Sequence, residues 1–506
     1  MNARAMNRHG LGFPSGVVSY GLVVVSGVIF AALVHPLMNL SPRWMLAAIA
    51  GCVLLSTCFV LIARLSDFLL TALFFSIPLA GIAKNYFPSS VAEEDRGSVF
   101  YSGTLNLGLI EVLLVGLYGC WLARLLSHRQ GAGRLVGLDW LILLLIVAHV
   151  LSLFHAPEVV LGVLATLHLL KQFLLYLYIS RNMLARHFEL FLAMIAFAIV
   201  LQTGLGAVQT ASGGALVGIA RDKGAGAGEL GSQYEVAKIE HIARAEGTLT
   251  DSHELGALFA MLLPIPLAIA VASEVKRSVR ALGVLVVATG LIGLGITFSR
   301  SAIVGFALAI CLFVLIHLFN WPTRTRVPTF VILLAIGAGT LLALGPVIGA
   351  RYSAQSIADA LDLRWQQYET AVHIWLISPV IGYGAGNYMH GARLYGNEFT
   401  ELLPVHNISL WFIADTGVIG AIAFHGILIA ALRRYWMVIR LRAGLLSRVA
   451  LGGFTGLVSC FLDSLTEPLL RAPTIFAIFW TLIALSVSLP SFVQGPDRVG
   501  RRLLRA

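Results

Sequence analysis

Four short segments of this chain hold side chains whose types and spacing could carry out group transfer. The first runs Arg244-Ala245-Glu246-Gly247-Thr248-Leu249-Thr250-Asp251-Ser252-His253-Glu254 and leads into an apolar run. The second, Thr297-Phe298-Ser299-Arg300-Ser301, is a tight turn between two apolar runs. The third carries Arg364 and ends in the glycine-rich Pro379-Val380-Ile381-Gly382-Tyr383-Gly384-Ala385-Gly386-Asn387-Tyr388. The fourth, Val405-His406-Asn407-Ile408-Ser409, opens another apolar run in which Gly417 and Gly420 follow. Arginine presents permanently charged, forked donors that match phosphate oxygens. Histidine titrates near ambient pH and can take a proton from a hydroxyl. Glycine and hydroxyl residues beside Arg244 and His253 at a helix start make an anion-facing turn. The same turn reads equally well as an N-cap, with Thr250 or Asp251 as the cap and Glu254 as the capping-box acid. The glycine run has no strand before it and no Lys-Ser/Thr end, which excludes a nucleotide loop and leaves close backbone approach as its use.

The elements that must position these residues are membrane helices. Of 506 residues 58% are hydrophobic and 12% charged, and the mean hydropathy is +0.87. Soluble domains carry roughly 25% charged residues, so an all-α polytopic membrane protein of about 12–14 helices is predicted. Apolar runs place crossings at 16–34, 44–63, 68–83, 105–123, 138–155, 159–179, 188–211, 255–273, 281–297, 301–319, 328–349, 407–432, 449–463 and 472–489. With the N-terminus inside, one side holds 22 basic residues and five acids, among them Arg124, Arg181, Arg186 and Arg448, and the other about 12 basic and 19 acidic. The positive-inside rule makes the first side cytoplasmic, so both termini are expected there and all four segments above lie outside. The formal charge of +10 is thus a topology signal and not a nucleic-acid surface. The first apolar run ends without a small-x-small cleavage site and reads as an uncleaved helix.

Three external loops are long, 84–104, 212–254 and 350–406. Glu93-Glu94-Asp95-Arg96 in the first is an acidic solvated stretch, and residues 233–244 of the second suit a short surface helix. In the third, Leu361, Trp365, Tyr368, Val372 and Trp375 recur at helical spacing with Arg364, Gln367 and Glu369 opposite, which predicts an amphipathic helix at the membrane mouth. His241, His373 and His390 read as surface residues, and Tyr176 and Tyr178 as aromatic filling. Asp251, Asp415, Asp463 and Glu467 are external acids that could act as alternative bases or hold the arginines, Asp415 being favoured as structural. Lys171 and Glu111 lie inside helices, where a charge is a functional suspect. Cys52, Cys58, Cys120, Cys311 and Cys460 fall in apolar runs without a C-x-x-C, as small hydrophobes do.

The order of these pieces resembles the O-antigen ligase and polymerase superfamily of bacterial envelope glycosyltransferases. Its ligases carry His, then Asn, Ser or Gln, nine residues, Gly, two residues, Gly and Thr or Val; here His406-Asn407 is followed at those spacings by Gly417 and Gly420, with Ala421 last. Arg244-x-x-Gly247-Thr248, Ser299-Arg300, and Arg364-Trp365 with Pro379-x-x-Gly382-x-Gly384 precede it in the same order. Three departures are Ala421 in place of Thr or Val, Tyr368, where a leucine commonly follows the loop arginine at this spacing, and Ser252-His253-Glu254 in place of His-Pro-Asn. The likeness covers roughly residues 240–435. It implies an N-terminal transmembrane bundle (1–211), a catalytic region (212–435) with periplasmic loops 212–254 and 350–406, and C-terminal helices with a basic tail (436–506). It further implies a transferase of the inner membrane that moves glycan from a polyprenyl (undecaprenyl) diphosphate carrier to an acceptor hydroxyl, either of lipid A-core or of a second lipid-linked glycan, without cofactor or metal. On that likeness His406 is the base, Arg300 and Arg364 act on the diphosphate, and Arg244, Asn407 and His253 bind substrate. The competing class is a secondary transporter or lipid-linked oligosaccharide flippase, which should show paired broken helices and midplane charges. A protein-glycosylating relative is a third reading.

Overall fold

The computed structural model describes residues 65–86, 105–126, 135–213, 244–321, 354–397, 400 and 403–494. Its helices are α1 (Leu65–Ser76), α2 (Leu109–Leu126), α3 (Gly137–Ser152), α4 (Val159–Asn182), α5 (Phe188–Ala211), α6 (Ser252–Leu262), α7 (Pro264–Ala270), α8 (Arg277–Ile296), α9 (Arg300–Asn320), α10 (Ala354–Ile377), α11 (Tyr388–Tyr395), α12 (Ile408–Leu441), α13 (Leu445–Asp463) and α14 (Pro473–Gln494). One short antiparallel pair, β1 (Lys84–Tyr86) with β2 (Leu105–Leu107), pairs Asn85 with Asn106. The molecule is an all-α membrane protein: among the described residues nine helical stretches are long and apolar enough to cross a bilayer, and two shorter ones, Leu65–Leu79 and Gly137–Ser152, are apolar as well. The predicted crossings 16–34, 44–63 and 328–349 lie outside the described residues, as do the acidic stretch 93–96, the helix expected over 233–244 and His241; a helix stands at each of the other eleven positions.

Burial sorts the helices by role. The α6–α7 stretch, α13 and α14 are almost wholly buried, whereas α2, α4 and α9 bury about a third of their length and turn residues such as Val115, Val304 and Leu308 outward. With lipid as the outer solvent, apolar side chains on an outer face need no partner, so packing selects for close backbone contact instead. Gly452 and Gly456 on α13 provide it: a Cβ at Gly456 would stand 2.2 Å from the Met261 carbonyl oxygen, and one at Gly452 2.6 Å from Ile265 Cα.

Charged groups gather at the helix ends. On the side the sequence assigns to the cytoplasm, Arg186 pairs with Asp67 at 2.9 Å, Arg181 with Asp139, and the buried Arg448 with Glu274 at 3.1 Å. Tyr176 does more than fill space, because its hydroxyl donates to Asp139 at 2.5 Å; Tyr178 accepts from Arg124 at 3.5 Å. Within the bundle Lys171 meets Glu111 at 2.7 Å and donates to the Asn106 carbonyl at 2.5 Å. The two suspect charges therefore satisfy each other.

One helix is not continuous. Gly417 in α12 has φ 64° and ψ −168°, which breaks it into 408–416 and 418–441. A break at this point forfeits the bonds from the Val418 and Ile419 amides to the Ala414 and Asp415 carbonyls, and unsatisfied backbone at membrane depth costs several kcal/mol per group. The glycine-rich loop supplies all four partners. Val418 donates to the Pro379 carbonyl at 3.0 Å and Ile419 to that of Val380 at 3.4 Å, while Tyr383 and Gly384 donate to the Ala414 and Asp415 carbonyls at 2.9 and 3.0 Å. The Asp415 carboxylate adds bonds from the Gly386 amide at 2.9 Å and the Trp411 indole at 2.6 Å, which is the structural role favoured for it. Pro-x-x-Gly-x-Gly and the first glycine of His-x10-Gly are thus two halves of one backbone arrangement.

Candidate functional site

The loop after α13, residues 464–467, is the point at which the distant segments meet. The Ile408 amide at the start of α12 donates to the Ser464 carbonyl at 2.8 Å. From α10, Tyr368 donates to the Leu465 carbonyl at 3.1 Å and Arg364 Nε to that of Thr466 at 3.2 Å. Residues four apart on a helix lie on one face, so Arg364 and Tyr368 reach the same loop together. That face is the buried one, and it mixes polar and apolar side chains. Gln367, Thr370, Ala371 and Ile374 are buried, while Leu361 and Trp365 are 62% and 64% exposed. Of the apolar stripe read from the sequence, Leu361 and Trp365 therefore face outward, as they do for a helix whose outer solvent is lipid, while Tyr368 turns inward; of the polar stripe, Arg364 and Gln367 line the site and Glu369 is exposed.

Glu467 lies at the centre, 7% exposed. Its Oε1 accepts from Arg364 Nη2 at 2.7 Å and is 3.7 Å from His253 Nδ1; its Oε2 is 3.6 Å from His406 Nε2. Hydrogen bonds of this kind fall at about 2.7–3.2 Å, so the arginine is bonded and the two imidazoles feel the charge across a small gap. Burial alone would push the Glu467 carboxyl up, but His253, His406 and Arg364 outweigh it and hold it below the usual carboxylate value.

The two histidines are not equivalent. His406 Nδ1 lies 2.9 Å from the Pro404 carbonyl and 2.8 Å from Gln367 Oε1. A carbonyl only accepts, so Nδ1 carries the hydrogen and the Nε2 lone pair faces the Glu467 side. Burial lowers the His406 pKa, Glu467 opposes that, and Arg364 and His253 add to it, leaving the imidazole below the ordinary histidine value. His253 stands the other way round: Arg244 Nη2 donates to its Nε2 at 3.4 Å, and its Nδ1 faces the Ser299 hydroxyl at 3.2 Å. Its lone pair is directed at a guanidinium, whereas that of His406 is directed into the site.

The remaining candidates fall around this pair. The Arg244–His253 turn is held by two buried glutamines of α5. Gln209 Oε1 accepts from the Glu246 and Gly247 amides at 2.9 and 2.8 Å, and Gln202 Oε1 accepts from the Thr248 amide at 2.9 Å. Gly247 has φ 61°, and a Cβ there would lie 2.2 Å from Gln202 Oε1, which accounts for glycine in Arg-x-x-Gly-Thr. The cap of α6 is Asp251, accepting from the Glu254 amide at 2.9 Å, while the Glu254 carboxylate binds the Thr250 amide and hydroxyl. The capping reading of this turn is the one seen, and Arg244 bonds to the Thr297 carbonyl at 2.9 Å and also reaches His253. Arg300 begins α9, half-exposed, directly after Ser299, whose hydroxyl caps that helix and touches His253. Asn407 caps α12, its Oδ1 accepting from Ser409 and Leu410 at 3.0 and 3.1 Å. His373 is exposed, and His390 pairs with the Tyr383 hydroxyl at 3.0 Å. Among the described residues no group of three or more His, Cys, Asp or Glu is disposed to hold a metal ion. Glu467 holds Arg364, one of the two roles left open for it in the sequence, but its place between both histidines and the grip of Gln367 on His406 were not legible beforehand. A charged residue in a short turn between two apolar helices, the signal that singled out Arg300, also applies to Glu467.

Three helix N-termini thus converge, those of α6 at His253, α9 at Ser299-Arg300 and α12 at Asn407, each carrying roughly half a positive charge at its end. Residues 283–425 match the O-antigen ligase family model. That segment contains Arg300, Arg364, Gln367, His406, Asn407, Gly417 and Gly420 and excludes Arg244, His253 and Glu467. No curated protein matches the chain. The family match over residues 283–425 bears out the resemblance to the O-antigen ligase and polymerase superfamily carried by the motifs in that segment.

Proposed function

We propose that the chain is a metal-independent membrane glycosyltransferase that takes glycan from a polyprenyl diphosphate carrier and joins it to an acceptor hydroxyl at the periplasmic face, as an O-antigen or exopolysaccharide ligase or polymerase. The observation that carries this reading is the placement of His406: Nδ1 lies against the Pro404 and Gln367 oxygens, so the Nε2 lone pair is directed into a cluster that contains Arg364 and Glu467. In the transfer, the acceptor O–H gives its proton to His406 Nε2 while its oxygen bonds to the anomeric carbon. The bond from that carbon to the diphosphate oxygen breaks, and the electron pair leaves with the carrier diphosphate. Arg300 and Arg364 receive the developing charge as forked donors, Arg244 holds His253 and contributes a further positive charge, and the helix ends add theirs. In-line attack inverts the anomeric centre.

A transporter would need ionisable groups at the midplane between paired broken helices. The cluster instead occupies helix ends, which favours surface chemistry. The test is to reconstitute the protein with a polyprenyl-diphosphate-linked oligosaccharide, with and without lipid A-core, and to examine the products. A ladder of longer lipid-linked chains identifies a polymerase, and glycosylated lipid A-core a ligase. General-base catalysis contributes about 10²–10⁴-fold, so His406→Ala should lose at least 100-fold while still inserting. Arg300→Lys should fail as well, because a point charge replaces a fork. Normal turnover by His406→Ala would remove the base assignment.

A further inference from the structure

The carboxylate of Glu467 has three cationic or basic neighbours and can satisfy only part of their demand. Arg364 is bonded to Oε1 at 2.7 Å, while His253 Nδ1 and His406 Nε2 wait at 3.7 and 3.6 Å, one beside each oxygen. A further acid beside the cluster is Asp463 at the end of α13, which interacts electrostatically with Glu467 and His253 and, on its other side, with Asp251 at the cap of α6. On the proposed reading, Arg364 is also a guanidinium that the donor diphosphate must engage. A diphosphate carries more charge than a carboxylate and offers oxygens at the spacing of the guanidinium fork, so the two anions compete for one cation.

We propose that Glu467 is a positioning residue that couples donor binding to base strength: the arriving diphosphate takes Arg364, and the carboxylate so released stabilises the His406 imidazolium that forms as the acceptor hydroxyl is deprotonated. This rests on the transfer reading above and deepens it. Before donor binds, Arg364 offsets the charge of Glu467 and disfavours protonation of His406. Afterwards Glu467 opposes His406 Nε2 without a competing cation. The acceptor proton goes to Nε2, the new bond forms at the anomeric carbon, and the carrier departs as diphosphate. When the carrier leaves, Arg364 recaptures Glu467 and the proton on His406 is released to water. His406 is therefore a strong base only while a carrier diphosphate occupies the site, and a weaker one when the site is empty. Coupling of this kind is reciprocal, so protonation of His406 should tighten donor binding to the same degree.

The experiment uses the full chain in vesicles and reads the pH dependence of His406 carbethoxylation by diethyl pyrocarbonate, which attacks the neutral imidazole, with mass spectrometry of the His406 peptide. The probe is undecaprenyl diphosphate without sugar. A charge at 3.6 Å moves a titration by about 1–3 pH units, so in the wild type the midpoint should rise by about 1 pH unit or more when the probe is added. In Glu467→Gln the midpoint should start lower and stay where it is with probe, whereas Glu467→Asp, which keeps the charge, should restore the rise. Glu467→Gln should also lower kcat without raising KM for the donor, because Arg364 is freed; a merely structural role for Glu467 would raise KM and leave the probe-induced rise in place. A wild-type midpoint that the probe leaves unmoved, or a rise that survives in Glu467→Gln, overturns the proposal. If His406→Ala is still inactive in either case, the transfer reading stands and only the coupling falls. Normal transfer by His406→Ala removes the reading itself.

Discussion

Replacing Gly417 by alanine tests whether the break in α12 is a requirement of the site. At φ 64° and ψ −168° a residue with a Cβ is strained by about 1–3 kcal/mol. That Cβ would also stand 2.2 Å from the Val380 carbonyl oxygen, 2.4 Å from its carbon and 2.6 Å from the Ile381 nitrogen. These are backbone atoms, and the Val380 carbonyl among them accepts in turn from the Ile419 amide, so they cannot yield without opening the loop, and overpacking of this sort costs about another 1–3 kcal/mol. The combined loss is about 2–6 kcal/mol, or relaxation toward a continuous helix that displaces residues 408–416. His406 stands at the head of that segment, and a displacement near 1 Å costs on the order of 100-fold in rate. The assay pairs thermal unfolding in detergent with glycan transfer, and Gly426→Ala on the same helix is the reference, because a Cβ there meets only side-chain carbons of Leu141 at 3.3–3.9 Å. Gly426→Ala should hold or gain stability while Gly417→Ala loses both stability and transfer. Equal unfolding temperatures and equal rates for the two would refute the requirement for the break.

Gln367→Leu removes one of two acceptors from His406 Nδ1 and leaves the Pro404 carbonyl. With a net hydrogen bond near 0.5–1.5 kcal/mol, kcat should fall about 2- to 12-fold at constant donor KM, and a loss beyond 100-fold would mean that Gln367 contacts substrate. The base must be neutral to act, and burial first of all keeps the His406 pKa under its ordinary 6.5. The acid limb of kcat/KM, which reports the free enzyme, should therefore lie below pH 6.5, with activity lost as pH falls through it; a limb above 6.5 contradicts the buried, Arg364-compensated site. Lys171→Met leaves Glu111 without its cation and should lower the unfolding temperature, by about 1–3 kcal/mol in stability, with transfer intact. Full stability with lost transfer would make Lys171 a chemical participant.

The crossings were legible because lipid leaves a length rule in the sequence: α5 spans 188–211 as predicted, and α8, α9 and α14 begin within four residues of their expected starts. Candidate chemistry was legible where a charged or titratable side chain interrupted apolar sequence, as at Arg300 and His406. What sequence could not give was direction. Leu361 and Trp365 belong to the stripe that the period predicts, but only the structure turns them outward and sends Gln367 to His406. Nor could a spacing rule bring Glu467 beside Arg364, since they are 103 residues apart. Local pattern encodes which face is apolar, while the partner of that face is set by long-range packing.

The division of α12 also bears on how the protein meets the membrane. Unbroken, its 34 residues would measure about 51 Å, well beyond a hydrocarbon layer of about 30 Å. Residues 418–441 alone reach about 36 Å and suffice to cross. Crossing the bilayer therefore places no length demand on 408–416, and the junction at Gly417 is held by the four backbone bonds it exchanges with residues 379–384. On the proposed function, spanning the membrane and shaping the site are in this way demands met by different parts of one helix. A chain that met only the first would be fully inserted, correctly oriented and inert.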